Sequence, residues 1–424
     1  MPAPPYTLTE AIVEQCRSQF PGLARCHQGQ PAVFLDGPAG TQVPQSVIDA
    51  VADYLAHRNA NHGGLFATSQ ESDEQLDQAH QAAADFLGTD DPDCVSFGPN
   101  MTTLTFALSR ALSRTWQPGD EILLSHSEHD ANFTPWTLAA RDADVTVRCI
   151  EMHCEDTTLD LDSLRSQLSN RTRLVAVGCA SNATGTVHPV REVCRLAREA
   201  GAVSVLDAVH FAPHSRVNVA DFGCDFLLCS AYKFFGPHVG LMVGRRALLE
   251  SLEAYKLRPA PDGLPGKWMT GTQNHEGIAG TLAAIDYLTE LGRQCAADSS
   301  LTRPVALDVA FAAVRDYESR LVWQLIDGLS TIEGIKIWGI TDPQRRDERL
   351  PTISLTSDRH SPAAMAQALG AAGVFVWHGD YYAVPLMTRL GVAADGMVRI
   401  GLAHYNTPAE IDRCLDQIRR LQRL

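Results

Sequence analysis

An aspartate closes one apolar run and a lysine follows the next in two neighbouring segments, Val203-Ser-Val-Leu-Asp207-Ala-Val-His210 and Phe226-Leu-Leu-Cys-Ser230-Ala-Tyr232-Lys233. Both runs read as buried strands of an α/β sheet. Ligands bind at the carboxyl ends of such strands, whereas a charge elsewhere in that core is costly to bury. An amine and a carboxylate facing one pocket match what pyridoxal phosphate requires. The amine forms a Schiff base with the aldehyde, and the carboxylate keeps the ring nitrogen protonated so that the ring accepts electrons. Spacing alone supports an alternative equally well: an aspartate capping the next helix and an unrelated surface lysine.

The elements that must position these groups are legible nearby. From about residue 85 to 245, apolar runs of strand length alternate with helical patterns, which predicts parallel strands joined by crossover helices. The predicted strands are 94–97, 121–124, 145–150, 174–178, 203–206, 226–229 and 240–243, with a helix from Val190 to Ala200 ended by Gly201. Residues 257–275 are rich in Pro and Gly and read as a long surface loop. A helical stretch over 277–329 follows, then shorter strands at 335–338, 352–355, 374–377 and 397–400 with helices at 361–372 and 407–423.

The 424 residues, 45% hydrophobic and 20% charged, suffice for two or three domains with their own cores. A net charge of −15 argues against nucleic-acid and anionic-membrane partners. The apolar stretches are too short to cross a bilayer. The start, Met-Pro-Ala-Pro-Pro-Tyr, carries no basic segment followed by an apolar one, which predicts a cytoplasmic protein. Eleven cysteines, odd in number, scattered and without a C-x-x-C pair, read as reduced thiols, and no metal site is expected.

Further motifs surround the Asp207 and Lys233 pair. Gly98-Pro-Asn-Met101-Thr102-Thr103 follows a strand and opens a helix, the geometry in which backbone N–H groups receive a phosphate. Glu128-His129-Asp130-Ala131-Asn132, Ser181-Asn182-Ala-Thr-Gly185, Gly271-Thr272 and Met397-Val-Arg399-Ile-Gly join it. In combination, from Phe34-Leu-Asp36 to Asn406-Thr407, the chain resembles the class V aminotransferase family of fold-type I pyridoxal-phosphate proteins. Within that family it is similar to the branch of cysteine desulfurases and selenocysteine lyases.

The resemblance implies a large domain on a mainly parallel seven-stranded sheet, a smaller α+β C-terminal domain, and a homodimer whose active sites use both subunits. It divides the chain into an N-terminal segment, 1–30, packing on the small domain, a large cofactor-binding domain, 31–300, and a small domain, 301–424. Lys233 matches the Schiff-base lysine, Asp207 the partner of the ring nitrogen, and His129 the aromatic group stacked on the ring. His210 falls where desulfurases carry a glutamine near the phenolic oxygen, and Asn182 approaches that oxygen or the substrate. Met101, Thr102, Ser230 and Tyr232 match the phosphate site, and Thr272 the threonine that reaches the phosphate of the neighbouring subunit. Arg399 matches the clamp on the substrate's α-carboxylate, for which a bidentate guanidinium is suited, and His62 falls near the substrate mouth.

One departure redirects the expected chemistry. Tyr382 stands at the position of the mobile-loop cysteine that takes sulfur as a persulfide, and no cysteine lies between Cys295 and Cys414. A phenol does not accept sulfane sulfur. Trp377, where the branch tends to carry arginine, points to a larger and more apolar substrate side chain. The expectation is therefore an enzyme acting on an L-amino acid, a carbon–sulfur lyase eliminating from cysteine or an S-substituted cysteine. An aminotransferase or amino-acid epimerase is the alternative. Ser230-Ala-Tyr-Lys233 also satisfies S-x-x-K, but the companion motifs of that class of hydrolase are missing.

Overall fold

The computed structural model describes residues 6–423. Residues 1–5, on which the expected absence of a secretory leader rests, lie outside them.

Seven strands form the central sheet: Val95–Gly98 (β1), Glu121–Ser125 (β2), Thr146–Ile150 (β3), Thr172–Gly178 (β4), Val203–Asp207 (β5), Phe226–Ser230 (β6) and Gly240–Gly244 (β7). Their order across the sheet is β1-β7-β6-β5-β4-β2-β3. Strand β7 runs antiparallel to both neighbours, and every other pair is parallel. Alternate side chains divide between two cores: Val175, Val177, Leu206 and Leu227 on one face, Leu174, Ala176, Val205 and Leu228 on the other. Burial on both faces explains why these strands read as continuous apolar runs rather than alternating ones.

Two helices of this domain adjoin the strands that carry the site. Met101–Ser113 (α1) begins at Asn100, whose side chain accepts from Thr103 N–H at 2.8 Å as an N-cap. Val190–Glu199 (α2) crosses from β4 to β5; Ala200 caps it in helical geometry, and Gly201 beyond it takes φ +76°. The glycine thus sits one place past the cap rather than at it.

The helical stretch predicted as one block over 277–329 is two helices, His275–Ala296 (α3) and Arg303–Ser330 (α4). Ala297 turns left-handed at φ +53°, and Pro304 opens the second helix where its missing N–H costs nothing. At this reversal Gly292 is required, because a Cβ there would lie 1.8 Å from the carbonyl oxygen of Ala306.

A four-stranded antiparallel sheet follows, with Ile335–Trp338 (β8), Thr352–Ser357 (β9), Trp377–Gly379 (β10) and Met397–Gly401 (β11) in the order β8-β9-β11-β10. The run 374–377, read as one strand, is shared between two sheets: Val374–Phe375 pairs in parallel with Val33–Phe34, and Trp377 begins β10. Leu8, Val13 and Cys16 share one core with Leu321, Ile353, Leu355, Val398 and Ile400, so the N-terminal helix is buried against the small sheet and α4. Among the described residues no helix is long and apolar enough to cross a membrane.

Candidate active site

A cavity of about 1010 Å³ opens where the carboxyl ends of β4, β5 and β6 face the small sheet. Gly178, Asp207 and Ser230 reach it from those strand ends, Met101 and Thr102 from the start of α1, and Trp377 and Arg399 from the opposite domain. Strand order brings β5 and β6 side by side, so Asp207 and Lys233 enter one chamber.

Asp207 is buried and accepts from the Val209 N–H at 2.8 Å. Burial pushes its carboxyl up to about 6, opposed by that bond and by Lys233. The Lys233 ammonium donates to the carbonyl of Pro38 and lies 4.7 Å from the centre of the Tyr232 ring. Burial first, then the charge of Arg399, pull this amine down to about 7, with Asp207 opposing. An amine so placed is neutral enough near pH 7 to act as nucleophile or base.

His129 lies in the turn after β2. Its Nδ1 accepts from the Ala131 N–H at 3.0 Å, which leaves the ring proton on Nε2. Burial, then the charges of Lys233 and Arg399, hold the imidazole down to about 4, so the ring is neutral. Its neighbour Glu128 is a site residue that sequence reasoning passed over, although it stands in the same motif. Fully buried, it accepts from Ser125 Oγ, from the Gly178 N–H at 2.9 Å and from Asn132 Nδ2 at 2.7 Å, tying the His129 turn to the end of β4. Burial pushes this carboxyl up to about 8 against those three donors. Asn132 is itself fixed, because its Oδ1 accepts from Trp136 Nε1 at 3.0 Å. Glu128→Gln therefore sets two N–H donors against each other and is expected to cost about 1–3 kcal/mol. A thermal melt checks this, and an unchanged Tm would remove the anchoring role.

Arg399, on β11, is buried and its Nη1 donates to the carbonyl of Asn182 at 2.9 Å. Its guanidinium carbon lies 4.3 Å over the Tyr381 ring, and its Nε has no partner. Burial draws its pKa down to about 10. Asn182 Oδ1 and His210 Nε2 are likewise buried without partners beside the same cavity. Buried polar atoms in folded proteins are nearly always paired, so three such atoms around one chamber mark a site shaped for a polar ligand.

Tyr382 sits on the rim, 69% exposed, with its ring 5.5 Å from that of His129. Tyr381 and Tyr382 both take left-handed backbone, φ +54° and +57°, an uncommon choice for aromatic residues. The large domain holds this turn: Asp130 N–H donates to Tyr382 O at 2.7 Å and Asn182 Nδ2 to Tyr381 O at 3.0 Å. At the other end of the cavity Ser230 Oγ accepts from the Met101 N–H at 3.0 Å. There the backbone of β7 approaches so closely that a Cβ on Gly240 would lie 2.3 Å from the Asn100 carbonyl carbon.

Met101, Thr102, His129, Asn182, Asp207, His210, Ser230, Tyr232, Lys233, Tyr382 and Arg399 all line the cavity. Thr272 and His62 do not. Thr272 is exposed in the long loop, and His62 is exposed with its Nδ1 3.8 Å from Asp73. Among the described residues no cysteine lines the chamber.

A mainly parallel seven-stranded sheet with a lysine and a carboxylate at adjacent strand ends, closed over by a smaller domain, defines a fold-type I pyridoxal-phosphate protein. The Aminotransferase class-V family model matches residues 33–303 and 305–414, and the chain belongs to that family. Relatives named cysteine desulfurase come from Pectobacterium atrosepticum, 31% identical over 427 residues with 97% of this chain and 98% of the relative covered, and from Serratia proteamaculans, 31% identical over 430 residues with the same coverage. Among solved structures, the apo cysteine desulfurase of Thermococcus onnurineus NA1 superposes with a TM-score of 0.85 at 24% identity, covering 97% of this chain and 98% of that one. A cysteine desulfurase from Escherichia coli does so with a TM-score of 0.81 at 24% identity, covering 96% and 98%. At that identity the structures speak for the fold. The family's enzymes depend on pyridoxal 5'-phosphate, and the unpartnered polar atoms and the serine and helix start at the cavity's far end fit an anionic, ring-bearing group.

Proposed function

We propose that this enzyme cleaves the carbon–sulfur bond of cysteine or an S-substituted cysteine by elimination, without a protein persulfide. The single observation that carries this reading is Tyr382 on the rim of a cysteine-free cavity. When bound, pyridoxal phosphate supplies an electron sink for the pair left at the substrate's α-carbon. In this reading Lys233 would hold the cofactor through its aldehyde and would take the α-proton of the substrate. Asp207 would favour a positive charge on the ring nitrogen, and His129 would lie beside the ring. The Met101 N–H, Thr102, Ser230 and Tyr232 surround the phosphate end. Asn182 and His210 face the polar edge. The leaving thiol departs between Trp377 and Tyr382, whose exposed rings accommodate an apolar substituent.

The test is product analysis together with thiol alkylation. Elimination yields pyruvate, ammonia and a thiol or sulfide, and turnover persists after iodoacetamide treatment. A full-length keto acid, a racemised amino acid, or activity abolished by alkylation of one cysteine would overturn the reading.

Arg399 is the proposed clamp on the α-carboxylate. Arg399→Ala is expected to raise KM about 100-fold or more, the scale of a buried charge pair losing one partner, with a smaller change in kcat. Steady-state kinetics on the preferred substrate decide it, and an unchanged KM would remove the role.

A homodimer with shared sites accounts for the two residues outside the cavity. Leu65, at 97% exposed, together with Phe66, Tyr255 and Leu257, leaves large apolar side chains in water near His62 and where the long loop begins. In that assembly Thr272 and His62 serve the neighbour's site. Light scattering reads the mass, and a monomeric active species would refute it. The eleven unpaired cysteines support a reducing, cytoplasmic location.

A further inference from the structure

Behind the Asp207 wall of the cavity, buried polar groups continue into α4. His210 and His214, four residues apart in the turn that follows β5, have ring centres 5.7 Å apart. His214 Nδ1 lies 2.9 Å from Glu318 Oε2, and the two side chains are 3% and 1% exposed. Nothing in the proposed reaction uses either of them. A buried polar pair rarely stabilises a fold more than apolar residues of equal volume would, so stability alone does not account for this one. Glu318 Oε1 and His210 Nε2 are both without partners, and the packing of the His214 ring against that of His210 is what joins the pair to the cavity wall.

The residue at position 210 gives the pair a use. A glutamine presents an N–H donor whose identity is fixed by covalent structure. An imidazole presents a donor or an acceptor according to which nitrogen carries the proton, and its surroundings must decide. We propose that His214 and Glu318 are positioning residues for His210, fixing the tautomer and orientation with which that imidazole faces the cofactor ring. The proposal rests on the cofactor reading of the cavity.

The charges facing His210 come from several elements: His214 on its own turn, Lys233 after β6 and Arg399 on β11. Together with burial they hold its pKa well below the ordinary histidine value, so it stays neutral and its tautomer is the property left to set. Around Glu318 stand His214 and Arg315, whose Nη1 donates to Ser215 Oγ at 2.6 Å. Close by, His404 Nε2 lies 2.6 Å from the Tyr287 hydroxyl, and its Nδ1 has no partner.

The experiment is a double-mutant cycle on the cofactor-loaded protein, reading the pH midpoint of its visible absorbance. Glu318→Gln is expected to move that midpoint by about 0.5 pH unit or more in the parent, and by less than about 0.2 unit in the His210→Gln background. Equal displacement in both backgrounds, or none in either, would overturn the proposal. Nitrogen NMR of the cofactor-free protein gives a second reading that does not depend on the cofactor. One His210 tautomer is expected in the parent and a mixture in Glu318→Gln or His214→Asn, and an unchanged tautomer in both variants overturns the proposal. A parent that takes up no pyridoxal phosphate would instead sink the cofactor reading, leaving the NMR comparison to judge the pair.

Discussion

Replacing Lys233 by alanine is expected to abolish the borohydride-stable link to pyridoxal phosphate and to lower turnover about 1000-fold or more, since in the proposed reading one residue supplies both the covalent attachment and the proton transfer. Cofactor added to the variant binds reversibly and is lost on dialysis, whereas the parent stays yellow. The parent also carries a pH signature. Its amine is drawn down to about 7 by burial and by Arg399. The neutral, nucleophilic fraction therefore grows as pH rises and saturates just above pH 7, rather than near the ordinary lysine value. Capture of pyridoxal phosphate by the cofactor-free protein should speed up from pH 5 to about pH 7 and then level off. A rate still climbing tenfold per unit at pH 9 would show that the lysine is not desolvated as described.

Asp207→Asn is the second large effect. The substitution preserves shape and the bond from the Val209 N–H but removes the charge that, in the proposed reading, would face the ring nitrogen. An opposite charge at contact shifts a pKa by about 1–3 units, so without it the ring would lose its proton at neutral pH and with it the capacity to take up electrons. Turnover is expected to fall about 100-fold or more, while the visible absorbance survives because Lys233 is intact. Exchange of the substrate's α-proton for deuterium, followed by NMR, should slow in parallel. Undiminished exchange would mean that Asp207 serves the fold and not the chemistry.

Much of this arrangement was legible in the chain because buried parallel strands write themselves as unbroken apolar runs. Asp207 and Lys233 interrupt those runs at their ends, which made them visible. Arg399 was found through its motif, although its isolation from the large domain's residues in sequence hides the chamber they share. Glu128 escaped because a fully buried glutamate leaves no periodic trace; only its three donors, scattered over residues 125, 132 and 178, reveal it. His214 and Glu318 escaped for the same reason, being joined across the fold by a contact no local pattern encodes. Likewise the apolar run 374–377 gave no sign that two sheets divide it, because both sheets bury the same kind of side chain.

The guanidinium of Arg399 belongs to the small domain, yet its hydrogen bond is to the backbone of Asn182 in the large one. In the proposed reading an arriving α-carboxylate would take the unpartnered Nε edge of that guanidinium while Nη1 keeps its bond. Loading the site would thus add a bridge through the ligand to the strut already joining the two halves of the molecule, and the filled enzyme is expected to hold those halves more firmly than the empty one.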